Sequence, residues 1–368
     1  MIKIDSLINL LKKNNINFYT GVPDSVLKEL SKYLQTKNKK NHIIAANEGA
    51  AVSIGIGYHL ATKKLPCIYM QNSGLSNALN PLISIADKKV YSIPLILIIG
   101  WRGSPKLKDE PQHNVKGKIT LQILKLLKIK TLILKDNQDI KKIINLINYS
   151  KKNNKPVACL IEKDILFDNK KNTSKTNKYS INRYNFIEEF LLKIEKKSKI
   201  VATTGFTSRE LYQIRKYKKL LNKGKDFYMI GGMGHSAMVS ATISKFFNGK
   251  SYCLDGDGSF LMHLGSMFTA ANIASSKFKY ILLNNNVHES VGNQKTFIEK
   301  INLRNFAKSL KFKNYHLINN PKQMQKKINS FIKCDGPSFF EVRIKNKSIN
   351  NLERPKDLIK IKKNFMKN

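Results

Sequence analysis

The sequence predicts two α/β domains of one doubly wound topology, each a parallel sheet with helices on both faces. Three observations predict it. A chain of 368 residues is long for one domain and sufficient for two, each with its own core. The same series of strand, glycine-rich turn and helix is written twice. The two copies run at a nearly constant offset: Gly21 in FYTGVPDSVLKEL lies opposite Gly205 in VATTGFTSREL, and Gly74 in CIYMQNSGL opposite Gly258 in YCLDGDGSF, 184 positions apart in both cases (205 − 21 and 258 − 74). A repeat of that length is a domain, not a solenoid unit.

The elements follow in chain order. Residues 1–13 carry an amphipathic helical pattern, without the apolar core or small-residue cleavage site of a secretory leader. HIIAAN reads as a strand ending at Glu48, and residues 49–61 as a helix rich in small side chains. The longest apolar run, residues 93–101, contains Pro94 and is too short to span a bilayer. Residues 155–161 close the first copy, and the polar stretch 168–182 reads as a linker. In the second copy, Gly232-Met233 falls opposite Glu48-Gly49, Asn284 at the end of KYILLN opposite Gly100, and residues 336–342 opposite 155–161. The expected division is a first domain over 1–167, the linker, and a second domain over 183–368.

The second copy holds the most informative segment. Residues 251–254 read as a buried strand, 261–275 as a helix and 279–283 as a second strand, a βαβ unit. Such a crossover brings the carboxyl ends of two parallel strands together, with Asp257 on one and Asn285 on the other, 28 positions apart (285 − 257). Two hard oxygen ligands then face one crevice. Gly256 and Gly258 allow close backbone approach and the following helix start attracts anions, so a diphosphate bridged by Mg²⁺ fits there. Thr204 and Thr207, in the loop after KIVAT, offer hydroxyl donors near it. Dinucleotide and P-loop sites are excluded: neither Gly55-Ile-Gly57 nor Gly256-Asp-Gly258 has the third glycine, and GxxxxGK[ST] is absent.

The formal charge of +41 invites a nucleic-acid reading. Against it, the lysines are spread along the whole chain, arginine occurs only at 102, 183, 209, 215, 304, 343 and 354, and no basic stripe with interleaved aromatics is present. Abundant Lys, Asn and Ile together fit the codon bias of an AT-rich genome, while a positive surface would speed capture of a multiply anionic substrate. Cys67, Cys159, Cys253 and Cys334 form no CxxC pair and read as free thiols of a reducing, cytoplasmic setting. Neither a nucleic acid nor a membrane is expected as a partner.

GDGS followed after 25 to 30 residues by NN resembles the thiamine diphosphate motif of the decarboxylase and carboligase superfamily. The resemblance covers nearly the whole chain, a pyrimidine-binding domain before a diphosphate-binding one, and lacks the middle domain many members carry. It implies thiamine diphosphate and Mg²⁺ as cofactors, with Gly256, Asp257, Gly258, Ser259 and Asn285 in the binding motif. Asp257, Asn285 and the carbonyl of Val287 would be the metal ligands, although Asn284-Asn-Asn286 offers one asparagine too many. Glu48 takes the place of the glutamate that activates the pyrimidine ring, in an apolar setting that keeps it able to carry a proton. Gly231-Gly-Met-Gly234 resembles the turn that holds the cofactor bent, with the Gly231 carbonyl accepting from the amine and Met233 propping the rings apart. Asp24 and Ser25 match the polar turn that relatives place near the reacting carbon.

Two further segments narrow the branch. Arg102-Gly, then Lys108-Asp-Glu-Pro-Gln-His113, and His288-Glu-Ser-Val-Gly292 resemble RG…KDEPQH and HDSVG of the phosphonopyruvate decarboxylases, with Glu289 in place of Asp. Arg102, Lys108 and His113 would bind the anionic substrate, and His113 and His288 would donate a proton or hold the anion. The resemblance thus implies decarboxylation of 3-phosphonopyruvate, in phosphonate biosynthesis. The alternatives are sulfopyruvate or another 2-oxo acid, a carboligase reaction, or a basic nucleic-acid-binding protein with no enzymatic role. It further implies a homodimer or homotetramer with active sites between subunits.

Overall fold

The computed structural model describes residues 1–105, 109–168, 177–218 and 223–367. The chain divides into two compact units, Met1–Thr173 and Ser174–Asn368. Most of the predicted linker lies outside the described residues, as does Lys108.

The first unit is built on six parallel strands, β1 (Tyr19–Gly21), β2 (His42–Ile44), β3 (Cys67–Gln71), β4 (Ile96–Gly100), β5 (Lys130–Leu134) and β6 (Val157–Ile161). Their order across the sheet is β2-β1-β3-β4-β6-β5. The second unit has β7 (Ser198–Ala202), β8 (Lys225–Tyr228), β9 (Lys250–Gly256), β10 (Phe278–Asn284), β11 (Asn314–Ile318) and β12 (Ser338–Arg343). Their order is β8-β7-β9-β10-β12-β11, the same permutation. The repeat read in the sequence is therefore a repeat of topology, and both sheets reverse direction of growth beside their first strand.

Alternation of side chains along each strand makes two cores per unit. Cys67, Tyr69, Ile96, Ile98, Val157 and Cys159 face one side of the first sheet, where the helix Ile4–Lys13 buries Leu7, Ile8 and Leu11. Ile68, Met70, Leu97, Ile99, Ala158 and Leu160 face the other, against the helix Glu48–Thr62. The second sheet repeats the arrangement: Tyr252, Leu254, Ile281 and Phe340 pack on Phe186 and Phe190, and Cys253, Tyr280 and Phe339 pack on Ala237, Phe260 and Met267. Each fully buried Leu, Ile or Phe contributes about 1.5–3 kcal/mol of transfer free energy. The carboxyl ends of the strands, freed from this packing role, carry the polar residues.

Two local expectations are corrected. The helix predicted over 261–275 is two, Asp257–Met262 and Ser266–Ile273. The chain breaks at His263, whose ring stacks on His235 with centroids 4.6 Å apart and lies so close under Gly234 that a Cβ there would sit 2.4 Å from its Cδ2. Thr207 is not in a loop but in the first turn of the helix Phe206–Tyr217, since that helix starts directly after Gly205, at φ +96°. Among the described residues, no helix is long and apolar enough to cross a membrane.

Candidate active site

β9 and β10 are neighbours in register, Gly256 opposite Leu283, so Asp257 and the asparagine run leave the sheet side by side. Asp257 opens the short helix Asp257–Met262 and is 3% exposed. Thr296 Oγ1 donates to its Oδ2 at 2.8 Å, and the amides of Gly258 and Asn286 also point at the carboxyl. Burial pushes its pKa up to about 7, because loss of water disfavours the charged form. The preceding Asp255 is buried too, its Oδ2 accepting from the Tyr280 hydroxyl at 3.0 Å and its Oδ1 from the Gly256 amide at 2.9 Å.

The three asparagines have different surroundings. Asn284 still belongs to β10 and donates from Nδ2 to Glu341 on β12 at 3.1 Å, so it serves the sheet. Asn285 is 4% exposed; its Nδ2 donates to Glu289 Oε2 at 3.0 Å and its Oδ1 accepts from the Val287 amide at 3.1 Å. Asn286, at φ +64°, donates to the Tyr179 hydroxyl at 3.1 Å, and its buried Oδ1 has no hydrogen-bond partner among the described residues. The buried Asp257 carboxylate and the Asn285 Oδ1, which keeps a lone pair beyond the Val287 amide, suit a hard divalent cation, and the Asn286 Oδ1 is a second candidate. Among the described residues no cluster of three or more His, Cys, Asp or Glu side chains could hold a metal. A cation here would draw its remaining oxygens from the backbone, a bound diphosphate and water.

The other motif residues converge on the same ends. Ser259 Oγ accepts from Thr203 Oγ1 at 2.9 Å and from the Gly234 amide at 3.0 Å, which fastens the GGMG turn to the GDGS turn. Thr204 Oγ1 donates to the Ile230 carbonyl at 3.1 Å, so this hydroxyl holds the turn before Gly231. A Cβ on Gly258 would lie 2.6 Å from His288 Nδ1 and 3.3 Å from Met233 Cε, so the glycine is what lets these two side chains meet above the helix start. Burial pushes the His288 pKa down to about 4. At neutral pH the ring is uncharged, and it can hydrogen-bond an anion from an N–H.

In the first unit, Glu48 begins the helix Glu48–Thr62, with Asn47 as its cap accepting from the Ala50 amide. The Glu48 carboxylate turns under the Gly74 turn, where a Cβ would lie 2.1 Å from Oε1, and Asn77 Nδ2 donates to Oε2 at 2.8 Å. Asp24 follows β1, the sheet neighbour of β2, and is buried: its Oδ2 accepts from the Val26 and Leu27 amides at 3.0 Å, and its Oδ1 from Gln71 Nε2. Burial nevertheless pushes its pKa up.

Arg102 is not a free cation. Its Nε and Nη2 grip Asp109 at 2.6 and 2.5 Å, Glu110 lies 3.5 Å from Nη2, and Nη1 donates to Ser25 Oγ at 3.0 Å. Burial alone would raise the Asp109 carboxyl, but Arg102 and the Gly103 amide hold it below its usual range. The guanidinium thus ties the loop after β4 to the Asp24-Ser25 turn. His113 lies in the first turn of the helix Pro111–Leu126 with the ring half-buried; burial pushes its pKa down to about 4, and its Nδ1 has no hydrogen-bond partner among the described residues. Like His288, it is neutral at pH 7.

Sequence reasoning missed several partners of these groups. Gln71 and Asn72, at the polar end of β3, could have been suspected from their place at a strand terminus, and Asn77 from its spacing of one helical turn from Gly74. Thr296, Arg183 and Glu210 carry no local signal, because the fold alone brings them in.

Comparison with known proteins agrees with this arrangement. Residues 4–123 match the thiamine pyrophosphate enzyme N-terminal TPP binding domain and residues 201–342 the C-terminal TPP binding domain. The phosphonopyruvate decarboxylase of Streptomyces viridochromogenes is 28% identical over 97% of this chain and 92% of its own. Sulfopyruvate decarboxylase subunit alpha of Methanocaldococcus jannaschii is 35% identical over 43% of this chain and 91% of its own. The beta subunit from Methanothermobacter thermautotrophicus is 32% identical over 40% of this chain and 73% of its own. With both cofactor-binding domains matched, and the same glycine-bounded turns at corresponding strand ends of both units, the chain belongs to the thiamine pyrophosphate enzyme family.

Proposed function

We propose that this chain is a thiamine diphosphate- and Mg²⁺-dependent decarboxylase converting 3-phosphonopyruvate to phosphonoacetaldehyde and CO₂, a step of phosphonate biosynthesis. The observation that carries the choice of substrate is the likeness to phosphonopyruvate decarboxylases along 97% of the chain. Residues 1–167 take the pyrimidine side of the cofactor and residues 183–368 the diphosphate side. Asp257, Asn285 and the Val287 carbonyl would hold Mg²⁺ near the start of the helix Asp257–Met262, where it would offset the charge of the diphosphate. When bound, thiamine diphosphate supplies the carbon that adds to the 2-oxo group and the sink for the electron pair released with CO₂.

The chain's own groups do the rest. Glu48, with Oε2 held by Asn77, exchanges a proton with the pyrimidine ring nitrogen. Met233 would prop the rings and the Gly231 carbonyl would accept from the amine. The aldehyde product needs one proton on the former carbonyl carbon, taken up from solvent; the neutral imidazoles His288 and His113 would hydrogen-bond the substrate's anionic group from a ring N–H, and the buried Asp24 orders the turn carrying Ser25. Arg102, braced by Asp109, and Lys108 would bind the substrate's anionic group.

Sulfopyruvate is the second reading, favoured by the likeness to both sulfopyruvate decarboxylase subunits. Purified protein assayed with each acid, with and without thiamine diphosphate and Mg²⁺, decides. Phosphonoacetaldehyde formation requiring both additives is expected; turnover of sulfopyruvate alone, or of neither acid, overturns the assignment.

The chain is further read as a homodimer or homotetramer whose sites lie between subunits. Mixing inactive Glu48→Gln with inactive Asp257→Ala under subunit exchange would then restore about a quarter of full activity, because half of the dimers are mixed and each has one intact site of two. No recovery despite demonstrated exchange would confine each site to one chain.

A further inference from the structure

Behind Asn285 lies a chain of buried charges that joins Glu289 of the His288–Gly292 segment to Arg183 and Glu210, which belong to none of the motifs. Glu210, 0% exposed on the helix Phe206–Tyr217, accepts from Arg183 Nε at 3.1 Å. Arg183, 5% exposed at the start of the helix Arg183–Lys193, donates from Nη2 to Glu289 Oε2 at 2.9 Å. Glu289, its side chain 8% exposed, receives Asn285 Nδ2 on that same oxygen at 3.0 Å. The four residues come from three separate elements and bury two carboxylates on one guanidinium. Replacing such a set by apolar side chains is often neutral or stabilising, so the ions are poorly explained as a source of stability.

The hydrogen-bonding chemistry gives them a purpose. An ionised carboxylate only accepts and a backbone amide only donates. Asn285 stands between one of each: Glu289 Oε2 faces its Nδ2, and the Val287 amide faces its Oδ1 at 3.1 Å. The side-chain amide therefore has one permitted orientation, and a flipped amide would set N–H against N–H and oxygen against oxygen. Its oxygen, the one atom of the group able to bind a hard cation, keeps a second lone pair free beyond the Val287 contact. Arg183 fixes Glu289 in turn and Glu210 fixes Arg183, so the carboxylate cannot swing away to solvent. The set also carries one net negative charge, which favours a cation nearby.

We infer that Glu289, clamped by Arg183 and Glu210, is a positioning residue that locks the Asn285 amide with its oxygen toward the Mg²⁺ of the cofactor site, an inference that rests on the proposed metal role of Asn285. Outer partners of this kind typically change metal affinity by about 10- to 100-fold when removed. Glu289→Gln nearly preserves shape but gives up the charge that pairs with Arg183, so the lock is weakened. Glu289→Asp keeps the acceptor.

The test measures, by equilibrium dialysis, the Mg²⁺ concentration that half-saturates thiamine diphosphate retention, with no turnover required. Glu289→Gln is expected to raise it at least about tenfold, at the lower edge of the range for such partners. Glu289→Asp should restore most of the loss. Glu289→Gln combined with Asn285→Ala should bind no worse than Asn285→Ala alone, because the first residue acts through the second. If Glu289→Gln does not fold, Arg183→Lys, which keeps the charge and loses the fork, replaces it in both arms. A raised requirement in Asn285→Ala with no change in Glu289→Gln, or effects that multiply in the double variant, overturns the inference while leaving the metal role of Asn285 standing. An unchanged requirement in Asn285→Ala overturns that metal role and the inference with it, and a raised one in Asn286→Ala would then place the ligand one residue on.

Discussion

The two units share a strand order and differ in what they place at the same strand ends. Gly74 follows β3 and Gly258 follows β9, at equivalent places, and in each unit a Cβ on that glycine would collide with a side chain from elsewhere: Glu48 Oε1 at 2.1 Å in the first, His288 Nδ1 at 2.6 Å and Met233 Cε at 3.3 Å in the second. Glu48 and Met233 themselves follow the equivalent strands β2 and β8. One backbone design thus makes the same crossing twice. In the first unit it holds a carboxylate that accepts from the Asn77 side-chain amide; in the second it holds an apolar thioether and a neutral ring above a buried Asp257. The scaffold fixes where groups meet, and side-chain identity alone makes one end suited to proton exchange and the other to a metal-bound anion.

The sharpest way to break this division is to remove the second unit's carboxylate. Asp257→Ala should weaken thiamine diphosphate retention in Mg²⁺ by at least about 100-fold, the upper end of what outer-sphere changes cost, since a direct ligand is lost. Unchanged retention, measured by dialysis, would remove the cation from this end of the sheet. Next in size, Gly74→Ala should push the Glu48 carboxylate from its place and lower kcat about 100-fold, as expected of an ångström-scale misplacement, with retention preserved. Gly258→Ala, its counterpart, should impair retention as well. Equal effects of the two alanines on retention and on kcat would mean that the units do not divide the work.

A smaller effect is expected where the first unit meets the substrate. Arg102→Ala should raise KM for phosphonopyruvate about tenfold more than for an uncharged 2-oxo acid, because a charge-assisted contact is worth about 1.5–3 kcal/mol and only the anion makes it. Because Arg102 also braces Asp109 and Ser25, equal losses on both acids would show that its role is to shape the loop.

Much of this was legible in the sequence, for physical reasons that also mark its limits. The doubled topology was readable because glycines, at 21, 74, 100 and 258 forced by close approach and at 205 by a positive φ, punctuate both copies at strand ends. Asp257 and Asn285 were readable because adjacent parallel strands must bring their ends together. Choosing among Asn284, Asn285 and Asn286 was not, since it turns on which side of β10 each amide faces and on Glu341 from a strand more than fifty residues away. Arg102 looked like a free cation because Asp109 is near it in sequence with nothing to say the loop folds back. The histidines looked chargeable because burial, which lowers both to about 4, is a property of the fold.

The central claim is that Glu48 activates a cofactor that the other unit's residues retain. The direct measurement is solvent exchange of the thiazolium proton in Glu48→Gln loaded with thiamine diphosphate and Mg²⁺. The amide keeps the shape of the side chain and its place beside Asn77 but cannot exchange a proton with the pyrimidine ring. Retention equal to that of the unaltered protein, together with exchange slowed by at least about 100-fold, is the predicted result, at the lower end of what a positioned acid or base contributes. Exchange at the unaltered rate would contradict it.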